Sequence, residues 1–224
     1  MLKNGVTVAK KSELNFIIGA DGKPVRFKPW LGDSFAFLYD SIMMKSIFPK
    51  KLAADMTKHY ETLRQELNGV HGKRVLELAT GSGSATSFLG NDNAYVGTDI
   101  SPGLLRRAVK RFRSAGFKNA EFYVSSTEEL PFENGLFDVC LCILSFNFFN
   151  NHAKVLAKAH RVLTHGATFL CAVPVPERNR KGSTIRGTLW SEQELTTLFH
   201  ESGFTFEAIP SENGTILYFK GIRE

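Results

Sequence analysis

Three cysteines in 224 residues leave no basis for a disulfide framework. Cys140, Cys142 and Cys171 are odd in number, lack Cys-x-x-Cys spacing and sit in apolar, strand-like runs. They read as buried thiols of a reducing compartment, with no zinc site and no other metal site expected. Long apolar runs are missing too. The longest, Val139 to Phe149, is interrupted by Ser145 and Asn147 and is too short to span a bilayer. The N-terminus carries lysines but no apolar signal core, so the expectation is a cytoplasmic protein without a membrane span. Charge is not extreme either: a net +6 with 22% charged residues leaves a nucleic-acid partner open without requiring one. The length suits one domain with a full core and leaves room for a small appendage.

What is present is one informative stretch. Arg74-Val-Leu-Glu-Leu-Ala-Thr-Gly-Ser-Gly-Ser-Ala-Thr86 is an apolar run that breaks into small residues, followed by an apolar pattern through Phe88 and Leu89. It reads as strand, glycine turn, helix. Gly81 and Gly83 suit a tight turn whose backbone a ligand can approach without Cβ atoms in the way. A second apolar run, Ala94 to Ile100, ends in Asp99, eighteen residues after Gly81. In doubly wound sheets a carboxylate at that distance accepts hydrogen bonds from ribose hydroxyls. Asp99 could instead cap the next helix, but Ser101-Pro102 already supplies an N-cap and an N1 proline. The third glycine of a dinucleotide-binding turn would fall at Thr86, which counts against a nicotinamide cofactor.

These residues resemble the class I S-adenosylmethionine-dependent methyltransferases of the methyltransferase-11 type, loosely the ubiquinone and menaquinone C-methyltransferase branch. The family's first motif, acidic-x-Gly-x-Gly-x-Gly, is matched by Glu77, Ala79, Gly81 and Gly83, with Ala79 in place of the first glycine. Ser125-Ser-Thr-Glu-Glu-Leu-Pro-Phe132 resembles its Asp-Ala-Glu-x-Leu-Pro-Phe motif, with Ser126 at the Asp position. Arg161-Val-Leu-Thr-His-Gly166 resembles its Arg-Val-Leu-x-Pro-Gly turn, with His165 replacing the proline. Tyr39-Asp-Ser-Ile-Met43 is similar to a Tyr-Asp-x-Met stretch before the core; Tyr39, Met43, Met44 and Trp30 read equally well as packing residues. The resemblance implies an α/β fold: a Rossmann-like seven-stranded sheet with an antiparallel last strand, helices on both faces, and a small N-terminal hairpin and helical lid. It implies S-adenosyl-L-methionine as cofactor, held by Glu77, Ala79, Thr80, Gly81 and Gly83, by Asp99 and Ile100, by Ser126 and Thr127, and by Leu144 and Tyr39.

Along the chain, residues 1 to 13 look frayed, and Phe16 to Ile18 and Val25 to Phe27 suggest two strands joined by an Asp-Gly turn. One helix is expected from Asp33, carrying Phe35, Leu38 and Ile42 and stopping before Pro49. A second carries Leu52, Met56, Leu63 and Leu67 and exits at Asn68-Gly69. Residues 1–70 therefore form a hairpin and lid, and 71–224 a cofactor-binding core. Leu105, Ala108, Val109 and Phe112 mark the buried face of a helix whose other positions hold Arg106, Arg107, Lys110, Arg111 and Arg113. That basic face is either a solvated surface or an RNA-binding stripe. Phe137 to Leu144 reads as a central strand apolar on both faces. The Ser145-Phe-Asn-Phe-Phe-Asn150 beyond it is either core or the wall for an apolar or planar acceptor. The loop 176–188, with Arg178, Arg180, Lys181 and Arg186, is either solvated or holds an anionic acceptor group. Ser191 to Glu194 is a capping box. The runs Phe204 to Pro210 and Thr215 to Gly221 are too close for a parallel crossover and must pair antiparallel.

Together these readings predict methyl transfer to a small-molecule acceptor, probed at His152 and His59 as candidate bases but with no catalytic residue assigned. RNA methylation and cofactor binding without transfer are the alternatives; no appended RNA-binding module or base-reaching Pro-Pro-aromatic motif is visible.

Overall fold

The computed structural model describes residues 2–3, 5–27 and 38–224. Asp33, Phe35 and Trp30 of the expected first helix and lid lie outside the described residues. Ten strands are present among the described residues: β1 (Leu2–Lys3), β2 (Val6–Lys11), β3 (Leu14–Ile17), β4 (Arg74–Leu78), β5 (Ala94–Asp99), β6 (Ala120–Val124), β7 (Phe137–Ile143), β8 (Leu163–Pro174), β9 (Glu207–Asn213) and β10 (Ile216–Ile222). They form one sheet in the order β1-β2-β3-β6-β5-β4-β7-β8-β10-β9. From β3 to β8 every neighbouring pair is parallel. The chain moves outward from β4 to β5 and β6, then returns to the other side of β4 with β7. That reversal makes the carboxyl end of β4 the topological switch point, where open α/β sheets hold their ligands.

The closing hairpin is as its short connection requires. β10 inserts between β8 and β9 and runs antiparallel to both. Its tip turns at Gly214 (φ +61°), where any Cβ would collide with the carbonyl oxygens of Leu52 and Ala53. The Thr215 N–H donates to Leu52 O at 2.8 Å, so the end of the sheet holds the N-terminal helical segment in place.

Helices cover both faces. α3 (Pro102–Ser114) is capped by the Ser101 side chain, which accepts from the Leu104 N–H, and starts with Pro102. It buries Leu105, Ala108, Val109 and Phe112 against Tyr95 and Phe122 of the sheet. α4 (His152–Val162) and α5 (Glu192–Glu201) cover the opposite face, where Phe146, Phe169, Phe199 and Phe204 interlock. α5 opens with the expected reciprocal cap between Ser191 and Glu194. Cys140, Cys142 and Cys171 lie inside the sheet, and burial pushes the thiols of Cys140 and Cys171 well up.

Three N-terminal expectations need correction. In the stretch 1–13, expected to be frayed, the described residues 2–3 and 6–11 are strands: β2 and β3 form the hairpin, and β3 pairs parallel with β6. Val25 to Phe27 is no strand; Ile18 makes one isolated bridge to Pro24, and Val25 N–H donates to Ile17 O. Helix α1 (Tyr39–Ile42) continues through Pro49 to Lys51 by widening to turns closed from i to i+5, as in the 2.9 Å bond from Leu52 N–H to Ile47 O. The wider turn moves the i−4 carbonyl off the proline ring, which is why Pro49 does not end it. α2 (Met56–Glu66) follows, capped by Asp55.

Candidate active site

β4 runs straight into the glycine turn. Ala79 (φ +53°), Gly81 (φ +58°) and Gly83 (φ +85°) all take the left-handed conformation. Thr80 N–H donates to Thr98 O at 2.9 Å, which locks the turn to the end of β5. Asp99 completes the lock: one carboxylate oxygen accepts from Gly81 N–H and the other from Ser101 N–H, each at 2.8 Å. The two glycines do different work. A Cβ on Gly81 would face the cavity, meeting only the Tyr39 ring at 3.9 Å, whereas one on Gly83 would lie 2.8 Å from the Ala108 backbone. Gly83 therefore permits the close approach of α3, and it is not among the residues that wall the cavity.

That cavity, about 400 Å³, opens over the turn. Glu77 lies at its base, almost fully buried. The Tyr95 hydroxyl donates to Glu77 and lies 3.1 Å from Thr80 Oγ1. Burial pushes the Glu77 carboxyl up to about 8, with the nearby Asp99 charge adding to the rise and the Tyr95 bond opposing it. Thr80, Asp99 and Ile100 lie along the next stretch of wall, followed by Ser126 and Thr127. The Ser126 hydroxyl accepts from Glu128 N–H at 3.2 Å. Leu144, at the end of β7, is held at φ +55° on the far side.

The N-terminal helices roof this cavity. Tyr39 sits over Gly81, and burial drives its phenol well up. Asp40 beside it latches the roof to the core, accepting from Ser82 Oγ at 2.6 Å, Arg107 at 2.5 Å and Arg111 at 2.6 Å. Met43, Met44, Phe48, Phe148 and Phe149 add an apolar part to the cavity wall. Sequence reasoning missed the latch because Arg107 and Arg111 read as ordinary surface positions of α3. The only available signal was their i, i+4 spacing on one helix face. Arg113 is also engaged, donating to Glu13, so the basic stripe is largely committed to structure.

Other sequence candidates fall elsewhere. His152 packs between Phe146 and Trp190 and bonds through Nε2 to Phe146 O at 2.9 Å; burial lowers its pKa, and it does not wall the cavity. Arg178 donates to Ser211 O and Ile216 O as a strut of the closing hairpin. No residue of the loop 176–188 walls the cavity; it is stitched instead to Asn147, which donates to Arg186 O and accepts from Thr188 N–H through its backbone carbonyl. The aromatic cluster divides: Phe146 is core, while Phe148 and Phe149 face the cavity.

A sheet with this order, a glycine turn at its switch point and a carboxylate at the tip of the neighbouring strand define a class I S-adenosylmethionine-dependent methyltransferase fold. Residues 76–171 match the methyltransferase domain family, Methyltransf_11, so this stretch resembles S-adenosylmethionine-dependent methyltransferases. It is 34% identical over 98 residues to the phthiotriol/phenolphthiotriol dimycocerosates methyltransferase of Mycobacterium leprae, covering 42% of this chain and 35% of that protein. It is 27% identical over 152 residues to the demethylmenaquinone methyltransferase of Chlorobaculum tepidum, covering 66% and 61%. The chain thus spans between about a third and three-fifths of these relatives' lengths. A solved S-adenosylmethionine-dependent methyltransferase from Aquifex aeolicus superposes with a TM-score of 0.59 at 18% identity, covering 76% of this chain and 93% of that one, and shares the fold.

Proposed function

We propose that this protein transfers the methyl group of S-adenosylmethionine to a small apolar or planar acceptor. The observation that carries the reading is the mixed lining of the cavity, where Glu77, Gly81 and Asp99 share one wall with Met43, Met44, Phe48, Phe148 and Phe149. The polar group fits the cofactor by its own chemistry. Glu77 is a buried carboxyl with no cation beside it among the described residues, so an ammonium group brought near would restore its charge. Asp99 is held by two backbone amides at the strand tip, where a ribose would lie, and Gly81 leaves the backbone open to the methionine portion. Ile100 and Leu144 would pack on the adenine, with Ser126 and the Thr127 backbone at its polar edge.

When bound, the cofactor supplies an electrophilic methyl carbon. The chain's part is to position a nucleophile in line with it and to exclude water. The α1 roof and Phe148 would close the apolar part of the wall around the acceptor, and the Asp40 latch keeps the roof on the core. The names of the two relatives, one for a dimycocerosate and one for demethylmenaquinone, support a small-molecule acceptor. The commitment of Arg107, Arg111 and Arg113 to ion pairs weighs against an RNA-binding stripe.

The test is transfer of labelled methyl from S-adenosylmethionine into native-host extract, separated into solvent-soluble metabolites, RNA and protein. Label in the metabolite fraction is expected. Label confined to RNA overturns the reading, and no label despite calorimetric binding of the cofactor identifies a protein that binds without transfer.

A further inference from the structure

His59 presents a different chemistry in the same chamber. It is 98% buried on α2, being 2% exposed, and it forms part of the cavity wall. Its Nδ1 lies 2.8 Å from the Tyr218 hydroxyl of β10. The direction of that bond can be worked out from the backbone. Asp55 N–H can only donate, and it does so to Asn213 Oδ1 at 2.7 Å, which fixes the amide of Asn213. Asn213 Nδ2 therefore donates, both to Asp55 O and to the Tyr218 hydroxyl oxygen, each at 3.0 Å. Tyr218 is fully buried, and among the described residues the only other group within bonding distance of its oxygen is His59 Nδ1. A buried hydroxyl proton left without an acceptor there is strongly disfavoured, so Tyr218 donates to Nδ1.

A neutral ring whose Nδ1 accepts must carry its proton on Nε2. That nitrogen has no hydrogen-bond partner among the described residues, and it is not one of the sealed, unpartnered polar atoms of the interior. Burial lowers the ring's pKa to about 4, so the imidazole stays neutral across the ordinary pH range. The candidate base is thereby overturned: Nε2 already holds a proton and Nδ1 is occupied.

Resting on the reading of the apolar wall around Phe48 as the acceptor chamber, we infer that His59 donates a hydrogen bond from Nε2–H to an oxygen of the methyl acceptor. The acceptor class is then an apolar, planar molecule bearing a carbonyl, enolate or phenolate oxygen, not a bare hydrocarbon and not a cationic amine. Phe48 and Tyr60, whose rings flank the imidazole at centroid distances of 5.1 and 5.6 Å, would lie beside the planar part. A donor at that oxygen also suits transfer at a neighbouring carbon or at the oxygen itself, since it holds the negative charge of the nucleophile without removing a proton.

Nitrogen-15 spectra of protein labelled at histidine report the tautomer directly, with no need for cofactor or turnover. The neutral Nε2–H form is expected for His59, and Tyr218→Phe should admit the Nδ1–H form. Finding Nδ1–H in the unsubstituted protein overturns the inference. Binding of 1-tetralone is then compared with that of tetralin, its partner of the same shape without the carbonyl oxygen. Tetralone should bind at least about fivefold more tightly and shift the His59 Nε2–H resonance, and His59→Phe should remove that preference. Equal binding, or binding of neither, overturns it as well. Cofactor binding measured separately by calorimetry distinguishes a failure of this inference from a failure of the methyltransferase reading.

Discussion

Gly81 and Gly83 look alike in the sequence and do unlike things. Gly83→Ala would place a methyl against the Ala108 backbone and strain a φ of +85°, so a loss of about 2–4 kcal/mol is expected in denaturant unfolding. Gly81→Ala has open space ahead of it and should cost only about 1 kcal/mol of stability, while weakening S-adenosylmethionine through the Cβ it adds to the cavity. Equal stability losses for the two would contradict this division. Ala79 carries the same left-handed strain without being glycine; Ala79→Gly should be neutral or stabilising by up to about 1 kcal/mol, whereas Ala79→Val should cost more than about 2. Glu77 sets a pH dependence. With a carboxyl pushed up to about 8, the cofactor-free protein holds a proton that an arriving ammonium must displace. Affinity should therefore climb between about pH 6 and pH 8 with release of up to one proton, seen as a buffer-dependent calorimetric heat. The same shift makes Glu77 destabilise the cofactor-free fold as pH rises from about 4.5 towards 8, because the folded state there binds more protons than the unfolded one. Glu77→Gln should flatten both profiles; proton uptake on binding would refute the assignment. The positions of Glu77 and Asp99 were legible because spacing along two strands fixes where they end. Which glycine packs and which faces the cavity was not, since that depends on α3 folding back from residues 25 positions downstream.

At the scale of elements, periodicity was a reliable guide wherever one face is buried. The α3 face, the α5 capping box and the antiparallel last pair all follow from local pattern and connection length. It failed at α1, where Pro49 reads as a stop and the chain instead widens its turns, a choice governed by packing of Phe48 against His59 and by the hairpin tip at Gly214. The roof is joined to the core at its start by Asp40, a charge-assisted contact between partly exposed groups, and at its end by buried Phe48 and Leu52. Asp40→Asn should leave the thermal transition nearly unchanged, because α1 contributes little of the core. Amide exchange across Tyr39–Lys51 should quicken by roughly tenfold, and rising salt should produce part of the same effect in the unsubstituted protein. Unchanged exchange would mean that Phe48 and Leu52, not the ion pairs, hold the roof.

For the whole molecule the N-terminal hairpin has the largest consequence that the sequence concealed. Read as an appendage ahead of the core, it is hydrogen-bonded into the same sheet: Leu14, Asn15 and Phe16 register with Phe122, Tyr123 and Val124, and Asn15 Nδ2 donates to Phe122 O. Its short strands gave no sign of this, since a parallel pairing across more than a hundred residues leaves no local pattern. Val8, Leu14 and Ile17 are buried by it, and β6 is thereby an interior strand. Deleting residues 1–27 would strip that cover and leave β6 as an unpaired, apolar edge, the arrangement that recruits a strand from another molecule. Light scattering on the shortened protein should therefore show concentration-dependent association, with a transition several degrees lower. Cofactor affinity should change by less than about threefold, because Glu77, the glycine turn and Asp99 hang on β4 and β5, inside the sheet. A monomer of unchanged stability would show that β3 merely leans on the edge; lost cofactor binding would instead show that the hairpin sets the twist of the strands that carry the site.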